Sequence, residues 1–160
     1  MTVDSELFRR AMRAWTTGVA VLMATHEGEE YGITVNSFSS LSADPPLVAV
    51  VLKNGTRIFE LATRSRAFRV TVLAASQQEV AERFAGKLHG AERMMDSAVH
   101  TLASGAPVNG LAWLSCRVVH TYAAGENTLL IADVVEARVR TLDGPLVYHN
   151  RNYHQLKPSS

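Results

Sequence analysis

Five small polar side chains crowd one corner of this chain. Asn36, Ser37, Ser39, Ser40 and Ser42 stand between an alternating run, Tyr31 to Val35, and a nearly all-apolar one, Leu47 to Leu52, with Asp44-Pro45-Pro46 turning the chain between them. A hydroxyl or amide taken out of water must find a partner, so such a cluster suits a polar ligand. The competing reading is a serine-rich surface loop. Facing a ligand, Ser37, Ser39 and Ser40 offer hydroxyl and backbone N–H donors to phosphate oxygens. Lys53 and Thr56 follow where the apolar run ends and add a cation and a hydroxyl at its mouth. The apolar walls suit a flat heterocycle whose polar edge meets backbone groups.

Other chemistries find little footing. No Gly-x-Gly-x-x-Gly follows a strand pattern, and no Gly-x-x-x-x-Gly-Lys-Ser/Thr loop occurs, so a phosphate here needs another device. The six histidines show no paired ligand spacing and Cys116 stands alone, which argues against zinc. Sixteen Lys and Arg against fifteen Asp and Glu leave a formal charge of +1, without the basic excess of a nucleic-acid surface. The start, MTVDSELF, has acids where a secretory leader is basic, and no apolar run reaches the ~20 residues of a membrane span. One cysteine excludes an internal disulfide and fits a reducing compartment. These features lead us to expect a cytoplasmic protein with neither a nucleic-acid nor a membrane partner.

The elements that must position the serine corner follow from periodicity. Asp4 or Ser5 caps a helix carrying Leu7, Phe8, Met12 and Trp15, with Arg9, Arg10 and Arg13 mostly on its wet side. Val19 to Ala24 and Tyr31 to Val35 form a hairpin around His26-Glu27-Gly28-Glu29. After the corner and the Leu47–Leu52 strand, Thr56 caps a short helix, Arg57 to Thr63. Ala67 to Leu73 is a further strand. Ser76 and Glu79 read as a capping box for a helix through Phe84 that Gly86 stops. From Lys87 to Asn109 the pattern dissolves into a long excursion, with one short helix around Ala91 to Ser97. Leu111 to Tyr122 alternates, with Cys116, Val118, His120 and Tyr122 on one face, and turns at Gly125-Glu126-Asn127 into Thr128 to Arg138. Leu146 to Tyr148 is the last strand. Strands joined by tight turns favour a closed antiparallel barrel with helices at its ends over a doubly wound parallel sheet.

The run Gly32-Ile33-Thr34-Val35-Asn36-Ser37-Phe38-Ser39-Ser40-Leu41-Ser42 with Pro45-Pro46 resembles the short-chain flavin reductases, the small partners of two-component flavin monooxygenases. The likeness extends to Thr16-Thr17-Gly18-Val19, Phe68 to Leu73, Glu82-Arg83-Phe84-Ala85-Gly86 and Tyr148 to Leu156, in order and over almost the whole chain. It implies a mainly β fold: a split β-barrel (FMN-binding, Greek-key-like and antiparallel) with a few peripheral helices. A single domain would span residues 1–156, with a frayed tail at 157–160. It further implies a homodimer that binds FMN or FAD, takes hydride from NADH or NADPH, and passes reduced flavin by diffusion to a monooxygenase component.

Site roles are implied position by position. Thr34, Asn36, Ser37, Ser39 and Ser40 fall where the family grips the flavin ring edge and phosphate, and Lys53 and Thr56 where it meets the phosphate tail. Arg83 and Phe84 lie where a helix closes over the site, and Tyr148 and Tyr153 match aromatic positions near the C-terminus. Core packing competes for Phe84 and Tyr148, and a solvated strand end for Lys53. One departure concerns the nicotinamide. Many members carry Gly-Asp-His where this chain has Gly125-Glu126-Asn127, and an amide cannot titrate as an imidazole does. Asn127 and His154 are therefore weak candidates for a nicotinamide contact, as is His149. The alternative function is a flavin-binding split-barrel protein that does not use NAD(P)H as an efficient donor.

Overall fold

The computed structural model describes residues 2–87, 110–140 and 144–156, with only the backbone of Lys87. The expected excursion from residue 88 to Asn109, its short helix at Ala91 to Ser97, and the tail Lys157 to Ser160 lie outside the described residues.

Helix α1 (Ser5–Arg13) starts on Asp4, whose carboxylate accepts from the Glu6 and Leu7 N–H groups at 3.1 Å each. Its apolar side is not packed away as the pattern suggests. Leu7, Phe8, Met12 and the following Trp15 are all exposed, and Arg13 is the half-buried member of the arginine set. Helical periodicity defines a face, but what covers that face is a separate question.

Strands β2 (Ala20–His26) and β3 (Glu29–Val35) pair from Ala20–Val35 to His26–Glu29. The two-residue turn between them has Glu27 at φ 50° and Gly28 at φ 82°, the left-handed pair that matches strand twist in a hairpin. The serine corner is only partly a loop. Residues 36–38 cross over, and Ser39–Ala43 is a strand, β4, pairing antiparallel with β5 (Pro46–Lys53) around a bulge between Ser40 and Ser42. Helix α2 (Arg57–Ser65) buries Ile58, Leu61 and Ala62 and packs against β2. Thr56 holds the cap position without capping, because its hydroxyl donates to the Lys53 carbonyl at 2.7 Å instead.

Strand β6 (Ala67–Val72) leads to a 3₁₀ turn, Ala75–Gln77, then α3 (Gln78–Glu82) and a wide turn, Arg83–Lys87. The expected Ser76–Glu79 capping box does not form. The 3₁₀ turn starts the helix earlier, and the Gln77 side chain accepts from the Ala74 N–H at 2.9 Å. Strands β7 (Ala112–Ala124) and β8 (Asn127–Val139) make the longest ladder, turning at Gly125-Glu126. A bulge between Val118 and His120, with Val119 as its extra residue, breaks the single face expected of β7. Cys116 and Val118 enter the core, while His120 and Tyr122 are exposed.

The order β3-β2-β6-β7-β8-β5-β4 makes one seven-stranded antiparallel sheet around a core that includes Leu22, Val50, Phe68, Val70 and Leu130. Among the described residues no ladder joins β3 to β4, so the sheet is curled but not closed as expected. A second sheet, β1 (Thr17–Gly18), β9 (Leu146–His149) and β10 (Asn152–Gln155), has the order β1-β9-β10. Beside it a smaller core gathers Val19, Val21, Met23, Leu73, Ala81, Phe84 and Leu146. Strand β10 was not expected. Four residues are too few to display a period against the turn that precedes them.

Candidate functional site

The second sheet brings together residues far apart in sequence. Thr17 pairs with Tyr148, and Tyr148 with Tyr153, across β1, β9 and β10. The two tyrosine rings lie 5.4 Å apart, tilted at 56°, over the smaller core. Val35, where the chain leaves β3, lines one cleft with both of them. Asn36 therefore emerges where the two sheets meet, and it lines three adjoining clefts of about 400, 480 and 230 Å³. Together they have the size of a cofactor site rather than a crevice for water.

Polar groups are distributed unevenly along these clefts. The Thr17 hydroxyl and Arg13 Nε are buried and have no hydrogen-bond partner among the described residues. Ser39 lines the 400 Å³ cleft beside Val19, Val35 and Phe38. The Ser37 hydroxyl is engaged with the main chain of Val51, donating to its carbonyl at 3.0 Å and accepting from its N–H at 3.3 Å. It thereby pins residues 36–38 to β5. The Thr34 hydroxyl donates to the Ala81 carbonyl at 2.6 Å and ties β3 to α3. Burial, with the neighbouring Tyr148 and Glu82, holds the Tyr153 phenol above its ordinary pKa, so it remains a neutral donor.

Of the residues singled out from sequence, Thr34, Asn36, Ser37, Ser39, Tyr148 and Tyr153 converge on these clefts. The others lie apart. Ser40 follows Ser39 on β4, and successive strand residues face opposite ways. Lys53 pairs with Glu126 at 3.1 Å, both exposed, where the β7–β8 turn meets the end of β5. Thr56 is held by Lys53, and Asn127 pairs in the ladder with Ala124 and Lys53. Phe84 is 2% exposed in the smaller core, while its neighbour Ala85 reaches the 230 Å³ cleft and Arg83 is half-buried beside it. His149 faces the Thr16 hydroxyl at 2.9 Å, and His154 Nε2 lies 3.3 Å from the His149 carbonyl.

Sequence reasoning missed Trp15, Thr17, Ala85 and Asn150 as lining residues. A usable signal was Asn150-Arg151 between two short strands, since asparagine tolerates the left-handed conformation that both residues adopt, at φ 47° and 63°.

A match to the family described as flavin reductase like domain spans residues 12–157. The chain belongs to this family. It is 39% identical over 160 residues to the NADH-dependent flavin reductase StyB of Pseudomonas fluorescens, across 95% of this chain and 90% of that one. The solved structure of the styrene monooxygenase flavin reductase of Pseudomonas putida S12 matches at TM-score 0.82 and 36% identity, over 92% of this chain and 96% of that one. An NADH:FAD oxidoreductase of Streptomyces globisporus, solved with NAD and FAD fragments, matches at TM-score 0.87 and 27% identity, over 100% and 99%. In this flavin reductase the clefts combine apolar walls with polar groups. Val19, Val35, Phe38 and Tyr148 form apolar walls, and Thr17, Asn36 and Ser39 stand along them as polar groups.

Proposed function

We propose that this chain reduces FMN or FAD with NADH or NADPH and releases the reduced flavin to a separate monooxygenase component. The observation that carries the reading is the convergence of Thr34, Asn36, Ser37, Ser39, Tyr148 and Tyr153 on the adjoining clefts, in a chain of the flavin reductase family. A bound flavin supplies the acceptor for a hydride delivered by nicotinamide. The protein's own contribution is placement. Apolar walls at Val19, Val35 and Tyr148 exclude water and orient a flat ring. Asn36 has no hydrogen-bond partner among the described residues and is free to meet the ring's polar edge. Donors at that edge stabilise negative charge as it develops. Hydride transfer itself needs little acid–base equipment from the protein.

A cytoplasmic location and a homodimer belong to the same proposal. The lone Cys116 suits a reducing compartment, and exposed apolar strands suit self-association. The test is steady-state oxidation of NADH and of NADPH with FMN, FAD and riboflavin in turn. Flavin-dependent oxidation is expected. Flavin binding without any such oxidation would support the alternative, a flavin-binding protein that does not use these donors, which the Asn127 turn motivates.

A further inference from the structure

Ser37 stands where the chain crosses from β3 to β4, the two edges of the seven-stranded sheet. On β4, Ser39 pairs with Ala49 and Ser40 with Val48. Carried two residues back, that register sets Ser37 opposite Val51. The main chain does not make this rung, because residues 36–38 lie outside both strands. The side chain makes it instead. Its hydroxyl donates to the Val51 carbonyl at 3.0 Å and accepts from the Val51 N–H at 3.3 Å. On its other side β5 stays in the ladder with β8, Val51 opposite Leu129. One serine hydroxyl thus satisfies both main-chain groups of Val51.

A hydroxyl has one proton and two lone pairs. The Ser37 proton is engaged by Val51, and the lone pair that remains can only accept. Phosphate oxygens and ring carbonyls need a donor, so this hydroxyl has nothing to offer them. The Ser39 hydroxyl differs, since it bonds only to the Ser40 carbonyl beside it, at 3.3 Å. What Ser37 does hold in place is its neighbour. Asn36 is fixed on one side by Val35, paired with Ala20 at the end of β3, and on the other by the Ser37 rung. A single residue between two anchors has little freedom, and Asn36 lines all three clefts. Without the hydroxyl the free stretch runs from Asn36 through Phe38 to the Ser39–Ala49 pair. Each freed residue must then be ordered when a ligand binds. Ser37 and Val51 are both exposed, so water can replace the lost bond and the fold itself loses little.

We infer that Ser37 is a positioning residue of the flavin site. Its hydroxyl donates to no ligand and acts through Asn36, by tying the crossover to β5 with a side-chain rung. The resemblance to flavin reductases implied a direct grip on the ring edge or phosphate at this position, and the geometry assigns the residue a different part. The inference rests on the flavin reductase reading for the identity of the ligand.

Two measurements on the full chain and its Ser37→Ala variant test it. Amide hydrogen exchange by nuclear magnetic resonance, without ligand, reads the rung itself. The Val51 N–H should exchange roughly tenfold faster in Ser37→Ala. Fluorescence titration with riboflavin, FMN and FAD reads the consequence. Misplacing Asn36 at the ring edge should weaken all three by one common factor, roughly tenfold, whereas a lost phosphate contact would spare riboflavin. In an Asn36→Ala background the Ser37→Ala loss should vanish, because the residue it places is gone. Ser37→Thr keeps the hydroxyl and should restore both readouts, and the denaturation midpoint of Ser37→Ala should stay close to that of the parent. Unchanged Val51 exchange overturns the inference, as does a loss that spares riboflavin or persists beside Asn36→Ala. An unaltered chain that binds none of the three flavins sinks the flavin reading, and the role of Ser37 falls with it even where Val51 exchange shows the rung to exist.

Discussion

Ser39 and Ser40 differ by one position and, on a strand, by one face. Ser39 lines the 400 Å³ cleft, while the neighbouring Ser40 is absent from its walls. Ser39→Ala should raise the flavin KM about three- to tenfold with little change in kcat, as loss of one uncharged hydrogen bond predicts. Ser40→Ala should leave both constants unchanged. Equal effects from the two, in steady-state kinetics with FMN and FAD, would show that β4 does not present its faces to the ligand in this way. Cys116 makes a different kind of prediction. Burial in the core pushes its thiol up to about 12 from 9.0. The folded chain then holds the thiol proton more tightly than the unfolded chain does. This contribution is intact below pH 9 and is lost as pH rises towards 12, at up to roughly 1.4 kcal/mol per pH unit. Tyr153, also held above its ordinary value, adds a loss of the same sign at higher pH. Denaturant titrations from neutral to alkaline pH should therefore show a shallower decline for Cys116→Ala than for the parent. The same burial predicts no reaction of Cys116 with thiol reagents until the chain unfolds.

At the scale of elements, the approach of β3 to the turn after α3 depends on one missing side chain. A Cβ on Gly32 would sit 2.7 Å from Phe84 Cε1 and 2.9 Å from Cδ1, with Met23 Cγ at 3.2 Å. Phe84 is a buried ring in a close-packed cluster and has little room to give. Gly32→Ala should cost about 1–3 kcal/mol by overpacking, measured as a shift of the denaturation midpoint. Phe84→Leu should restore part of that loss in the double variant, although it destabilises the parent. Additive losses would mean that the clash is relieved elsewhere. This contact is also where sequence reasoning stops. Gly28 and Gly125 announce their hairpins because the left-handed positions they hold, at φ 82° and 62°, favour glycine. The alternating runs they join were legible for the same local reason. Bulges at Val119 and Val135 depend on which strand lies alongside, and a two-residue strand such as Thr17–Gly18 carries no period. The site followed the same division. The corner at Asn36 to Ser39 stood out by composition, whereas Thr17 and Trp15 joined it only through pairing with β9 and the seating of α1. Lys53 stood close to the serines in sequence, yet a neighbouring turn supplied it with Glu126 instead.

For the whole molecule, the far half of β8 leaves apolar surface that the described chain does not cover. Val135, the extra residue of the bulge, and Ala137 and Val139, which share one face beyond it, are exposed, while Glu136 and Arg138 bond to each other at 2.9 Å. The Arg138 guanidinium lies 5.6 Å from the centre of the Trp113 ring, so the face of Arg138 is already furnished. Beyond β5, the edge strand β4 carries the exposed Leu41, and among the described residues no strand pairs with its outer side. Exposed apolar stripes next to an open edge are what a second copy of the chain would cover. Sedimentation equilibrium should accordingly give twice the chain mass of 17.5 kDa. A charge placed in the stripe, Ala137→Glu, must be desolvated in such an interface and should shift the equilibrium towards monomer. Because the residue is exposed within one chain, the monomer's secondary structure by circular dichroism should be unchanged. If the parent already sediments as a monomer at micromolar concentration, the stripe has some other occupant and the homodimer is wrong. If instead Ala137→Glu remains dimeric, the two copies meet on another surface.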